Sequence, residues 1–323
     1  VGRPYNNINV FTHHASLETH HCFQMDTFFQ QLINALSLGA IYGLFALGYA
    51  LVFSVLGVLN LAHSAVFMTG AFFGLVLIDK LHLPLILAFP LAMVGAGLVS
   101  VALEFIAFRP LRRRGAPRIS QLISSIGASI LLVSITQLLF QNLYGATDAY
   151  FPRGLVPDDP ILIAGLRIVP IRAVILAVAL AMMVILQAVV SRTQIGQQMR
   201  AVAFNQRVAA LLGINVGGVF VTTFFIAGAL GGAAGMLYGL VFLNVSPFIG
   251  SDVALVGLTA IVLGGLGSIN GAVLGGILVA ALQTFSTAIG GSSYRNIVVF
   301  GILFLLLLVR PQGLLGQTES TRA

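Results

Sequence analysis

The stretch TFFQQLINALSLGAIYGLFALGYALVFSVLGVLNLAHSAVFMTGAFFGLVLI, residues 27–78, contains no Asp, Glu, Lys or Arg. A helix needs about 20 apolar residues to cross a hydrocarbon core of ~30 Å, so this run is long enough for two passes. Equally uncharged runs follow at 81–103, 119–147, 173–191, 208–251, 253–294 and 296–309. The run at 253–294 again holds two passes, and the last begins near Ser292. The pattern predicts an all-α polytopic transmembrane bundle of eight or nine crossings, the count depending on where helices break. A transmembrane barrel would instead alternate polar and apolar residues over ~10-residue segments. These runs are apolar on all sides.

Composition excludes the soluble alternatives. Of 323 residues, 58% are hydrophobic and 8% charged, with a mean hydropathy of +1.03. A soluble domain carries about 25% charged residues. This chain has too few to cover a water-facing surface, which rules out a soluble enzyme, a disordered tail and a nucleic-acid-binding module despite a pI of about 10.2. Lys80 is the only lysine among the 16 basic residues, and Cys22 is the only cysteine, so no intrachain disulfide forms.

The charges mark the loops. RPLRRRGAPR (Arg109–Arg118) holds five arginines and no acid. Two passes later, Ser191–Gly213 holds Arg192, Arg200 and Arg207, again without an acid. Between them, Tyr144–Pro170 carries Asp148, Asp158 and Asp159 against Arg153 and Arg167. Basic loops an even number of crossings apart fit one cytoplasmic side, which the C-terminus with Arg310 should share. Glu104, close to Arg109, reads as an interfacial residue, leaving no carboxylate at membrane depth.

Residues 1–24 differ from the rest. They hold His13, His14, His20, His21 and Cys22 but no long apolar run, so they fit neither a signal peptide nor a crossing. A dispensable, poorly ordered leader upstream of Met25 outweighs a His/Cys metal site. Residues 25–316 form the membrane domain, and residues 317–323 a cytoplasmic tail.

Small residues recur at helical spacing. Gly231, Gly235 and Gly239 form one four-residue ladder and Gly267, Gly271 and Gly275 another, each a flat face for close helix packing. Two runs read as interrupted helices: VLGVLNLAHSAV (Val55–Val66) and VLGGLGSINGAV (Val262–Val273). At an offset of 207 residues they match at Val55/Val262, Leu56/Leu263, Gly57/Gly264, Leu59/Leu266, Ala65/Ala272 and Val66/Val273, which suggests an internal repeat. Non-helical backbone at membrane depth must be buried in protein or line a cavity, and paired interruptions point to a substrate path in transporters. Asn60, His63, Ser64, Ser268 and Asn270 are therefore candidates for such a path, with helix packing as the alternative.

No catalytic machinery is legible. There is no Gly-x4-Gly-Lys-Ser/Thr loop, H-E-x-x-H pair or G-x-S-x-G elbow. No metal or other cofactor is expected on this chain, and nucleotide energy would have to come from another subunit. Its docking surface would be a cytoplasmic loop. Gln197–Leu212 has no proline or glycine and reads as one amphipathic helix ended by Gly213, suited to a partner's groove or to lipid headgroups.

The order Gly196-x3-Arg200-Ala201-x3-Asn205-x3-Ala209-x2-Leu212-Gly213-Ile214 resembles the coupling segment of the permeases in branched-chain amino-acid ABC importers. The resemblance extends through Leu38–Ser64, VALEFIAFRPLR (Val101–Arg112), Ile123–Leu132, Ile261–Val279 and RPQGLLG (Arg310–Gly316). It covers residues 26–316 and is strongest to the H-type subunit. Where many relatives carry an acidic pair, Ala203-Phe204-Asn205 stands here. The resemblance implies a bacterial inner-membrane permease for branched-chain or other neutral amino acids. Its implied partners are a paralogous permease, two ABC ATPase subunits that use ATP, an extracytoplasmic solute-binding protein and membrane lipids. Urea or a short amide is the alternative solute, and an ion-coupled secondary transporter the rival mechanism.

Overall fold

In an apolar bilayer core, backbone N–H and C=O groups find no partner but one another, so uncharged runs fold as helices. A computed structural model describes the backbone of residues 9–152, 154–155, 161–163, 166–310 and 312–315; side chains are described from Phe28 onward, except at 162–168 and 289. The helices are α1 (Asn9–Leu56), α2 (His63–Asp79), α3 (Leu85–Leu103), α4 (Arg109–Arg113), α5 (Arg118–Tyr144) and α6 (Pro170–Arg192). They continue with α7 (Gln194–Phe204), α8 (Gln206–Leu211), α9 (Val216–Phe242), α10 (Ile249–Gly264), α11 (Ile269–Gly290) and α12 (Arg295–Val309). A π-helical turn, Glu104–Phe108, joins α3 to α4. The expected leader falls on residues whose side chains lie outside the described part, and the expected tail lies outside it altogether.

Seven helical stretches among the described residues are long and apolar enough to cross a membrane, and α2 and α10 are shorter apolar helices. Local sequence sets their ends. Pro84 and Pro117 precede α3 and α5 in extended conformation, and Pro170 opens α6, where its missing N–H costs nothing. Gly145 ends α5 in the left-handed region, at φ +66°.

Two short ladders mark one end of the bundle. β1 (Ala149–Tyr150), just after α5, pairs antiparallel with β4 (Asn244–Val245), just after α9. β2 (Ile161–Ile163) and β3 (Leu166–Ile168) form a hairpin before α6, with Ile161 opposite Ile168. α5 and α9 start from the arginine-bearing loops, so those loops lie at the other end.

α1 and α9 run through the interior, whereas α5 and α12 lie at the periphery. α1 packs on α11, α9, α6 and α10, while α9 also receives α2 and α3. The α9 ladder faces α2 and the segments that follow β1 and form β4. A Cβ on Gly235 would strike the Phe67 carbonyl of α2, one on Gly231 would lie 2.8 Å from the His63 ring, and one on Gly239 2.8 Å from Phe151. Gly271 and Gly275 of α11 sit against the Gly264 and Ala260 carbonyls of α10. Gly267 departs from its expected place in that ladder. It lies outside α11, in the turn before it, at φ +83°, because Ser268 caps the helix one residue later.

At the β1–β4 end of the core, Arg295 of α12 donates to the Tyr42 hydroxyl of α1 and to Gln283 Oε1 of α11, both at 2.8 Å. Tyr42 donates to the same Gln283 oxygen at 3.0 Å. This network ties the peripheral α12 to the central helix.

Candidate functional site

Both interruptions lie at the arginine-rich end. α1 descends to the break at Gly57 and α2 returns from it; α10 descends to Gly265 and α11 returns from it. The 207-residue offset thus relates two hairpins that open at the same end. Leu61 N–H donates to Ser125 Oγ of α5, holding the first break. In the second, Ser268 Oγ accepts from Gly271 N–H at 3.1 Å. Leu314 and Leu315 N–H groups donate at 2.9 Å to the Leu263 and Gly264 carbonyls, so a distant segment satisfies the open end of α10.

Between the breaks lies a helical elbow, not the single helix expected over Gln197–Leu212. Asn205 is extended, at φ −160° and ψ 108°, and separates α7 from α8. Its Oδ1 accepts from Arg207 and Val208 N–H groups at 3.0 Å, so the side chain that ends α7 also caps α8. Gly213 takes φ +82° after α8, and its N–H donates to the Ala210 carbonyl.

The motif residues divide by direction. Arg200, itself exposed, reaches back and donates to the Val190 carbonyl at the end of α6. Gly196, one turn earlier, leaves no room for a Cβ against the Val189 and Val190 carbonyls. Thr193 Oγ1 accepts from Gly196 N–H at 3.2 Å and donates to Val189 O at 2.6 Å. Met199, Val202 and Ala209 are buried, and Ala201 packs against the core. Facing outward are Phe204, Val208, Leu211 and Leu212, the last two 83% and 75% exposed. Of these only Leu212 is in the sequence-derived motif; the spacing of 204, 208 and 211 was the available signal.

A cavity of about 590 Å³ opens beside the elbow, between Ser54 and Val55 of α1, Gln187 and Val190 of α6, Arg200 and Phe204 of α7, and Gly267–Asn270. Its size falls within the ~300–1,000 Å³ of small-molecule sites. Ser268 and Asn270 line it. Asn60, His63 and Ser64, the other expected path residues, line neither this cavity nor its smaller neighbour at the same end. Asn60 is buried, and its Oδ1 accepts from Ala62 N–H, shaping the turn into α2. The His63 ring fills a slot between Gly48 and Gly231 and stacks on Phe45, with centroids 5.0 Å apart. The Ser64 hydroxyl donates to the Leu61 carbonyl. These three residues build the hairpin.

Glu104 is fully buried within the bundle and ion-paired with Arg112. The intervening π-helical turn brings these residues, eight apart, together. No three His, Cys, Asp or Glu side chains among the described residues gather as a metal site.

The family described as "Branched-chain amino acid transport system / permease component" matches residues 31–308. The chain belongs to it. The chain is 34% identical to the "High-affinity branched-chain amino acid transport system permease protein BraD" of Pseudomonas aeruginosa, over 90% of this chain and 97% of that protein. It is also 34% identical to the corresponding LivH protein of Escherichia coli strain K12, over 90% of this chain and 96% of that one. A "Probable branched-chain amino acid transport permease protein LivH" of Methanocaldococcus jannaschii is 26% identical over 84% of this chain and 88% of that one. The permease is thus a multi-pass membrane protein, and its elbow occupies the stretch that the motif order singled out.

Proposed function

We propose that this permease passes branched-chain or other neutral amino acids inward across the membrane, driven by ATP-hydrolysing subunits that seat on the α7–α8 elbow. A paralogous permease would complete the transmembrane unit, and an extracytoplasmic protein would deliver the solute. The elbow carries this reading. It presents an apolar outer face of Phe204, Val208, Leu211 and Leu212, while Gly196 and Arg200 fasten it to α6. A push on the outer face therefore reaches a membrane helix and the cavity beside it. The excess of arginine over acid at this end supports a cytoplasmic position, for the elbow and for the Leu314–Leu315 segment bonded to α10.

The test is ATP-dependent uptake of labelled leucine into proteoliposomes holding this permease, its paralogue, the ATPases and the binding protein. Excess alanine or proline should compete, whereas excess urea should not. Uptake by this chain alone, driven by an ion gradient, would overturn the reading.

A further inference from the structure

We propose that a second cavity at the arginine-rich end, wedged between the elbow and the α1–α2 break, binds a phosphate group. It measures about 410 Å³, and its lining includes Gly57, Arg112, Arg118, Gln121, Asn205 and Arg207. Three arginines line it, and none of the lining residues is acidic. Glu104 offsets one charge by pairing with Arg112, but it does not line the cavity. Two positive charges remain unanswered in a hollow at the level where bilayer meets water.

One of the arginines is held in place before any ligand arrives, and a second lies beside the break. The Arg112 guanidinium lies 3.9 Å from the centre of the Phe220 ring, and its Nη1 is buried without a hydrogen-bond partner. Arg118 lies across Gly57, with its Cζ 3.8 Å from where a Cβ would stand. Arg207 belongs to α8, on the elbow itself. Planar guanidinium groups match the oxygens of a phosphate in paired hydrogen bonds, and lysine does this less well. A phosphate here would bridge two arginines of the bundle and one carried by the elbow, so its presence would bias the elbow's position.

The phosphate can be that of a lipid headgroup or a free ion. The flank of α5 favours the lipid. Arg118 is the first residue of α5, and Ile119, Ile123, Ile126 and Ile130 follow as one exposed apolar stripe at helical spacing. Acyl chains laid along that stripe bring their headgroup to the level of Arg118. Anionic headgroups attract basic side chains at this depth.

The experiment uses the complete importer in nanodiscs of phosphatidylcholine with or without phosphatidylglycerol, and reads retained lipid by native mass spectrometry. A parallel arm measures labelled inorganic phosphate held in phosphatidylcholine discs. The expected result is retained phosphatidylglycerol that falls roughly fivefold in Arg118→Gln and again in Arg207→Gln, with less loss in the Lys variants. Phosphate held in the second arm with the same arginine dependence would support the site and assign it a soluble ligand. Neither ligand retained, or retention unchanged in both Gln variants, would overturn the proposal. So would loss of the ATPase subunits from Arg118→Gln without any phosphate binding, since an acidic side chain of the partner would then fill the cavity. Arg207 is on the protein surface, so its variant keeps the test open if Arg118→Gln fails to fold. Neither arm depends on which solute the permease carries, so failure here and failure of the transport reading are distinguishable.

Discussion

The Arg200 guanidinium donates to the main-chain carbonyl of Val190, ten residues earlier, and so ties the first helix of the elbow to the last turn of α6. Helix ends leave carbonyls unsatisfied, and a cation there also answers the helix dipole. The bond, beside the close seat of Gly196 on the same carbonyls, couples α7 to the end of α6.

Replacing Arg200 by Gln should leave insertion and subunit assembly intact while uncoupling the two activities. Uptake per ATP hydrolysed should fall roughly tenfold or more, the scale set by a charged hydrogen bond of about 1.5–3 kcal/mol. Parallel assays of hydrolysis and uptake in proteoliposomes check this. Normal coupling in the variant would remove Arg200 from the force path.

Asn205 supplies the break between the two elbow helices through two side-chain hydrogen bonds. Asn205→Ala should cost about 1 kcal/mol of cap stability. Amide exchange at Arg207 and Val208 should rise and coupled uptake should drop, while Asn205→Asp should preserve both. Gly213→Ala should act at a different point, costing about 1 kcal/mol through the left-handed backbone at φ +82° rather than through any lost contact. Equal exchange rates in Asn205→Ala and the parent protein would show that the cap is not what divides the elbow.

A pair of glycines distinguishes packing from helix propensity. Gly235→Ala would drive a methyl group into the Phe67 carbonyl, which is main chain and has no rotamer to yield, so about 1–3 kcal/mol should be lost. Gly127 of α5 has nothing within 4 Å of its missing Cβ. Gly127→Ala should therefore stabilise the solubilised chain, by about 0.5–1 kcal/mol. Thermal unfolding in detergent reads both, and the two midpoints should move in opposite directions.

Much of the bundle was legible because a bilayer punishes exposed charge: the uncharged runs map onto seven long helices and two short ones. The two interruptions were legible for the same reason, since polar residues inside such runs stand out. Their meeting at one end was not, because the offset of 207 residues carries no distance. Asn205 was read as part of a continuous helix because a lone Asn is tolerated within one; only the backbone shows it extended. Glu104 was set beside Arg109 from its position at the end of a run, but its partner is Arg112, and the π-helical turn that carries Arg112 to it has no sequence signature. His63 and Asn60 were read as path candidates with packing as the alternative, a choice polarity alone could not make; the His63 ring fills a slot between Gly48 and Gly231 that only the structure brings together. The network of Arg295, Tyr42 and Gln283 joins residues from three separate helices and was invisible in one dimension.

The bonds from Leu314 and Leu315 to the carbonyl end of α10 also constrain biogenesis. The junction between α10 and α11 is made without the donors that meet two of its main-chain acceptors, which are synthesised about fifty residues later. That hairpin can therefore reach its final bonding only once translation has passed α12, and a chain ending before Leu314 would lack the closing segment.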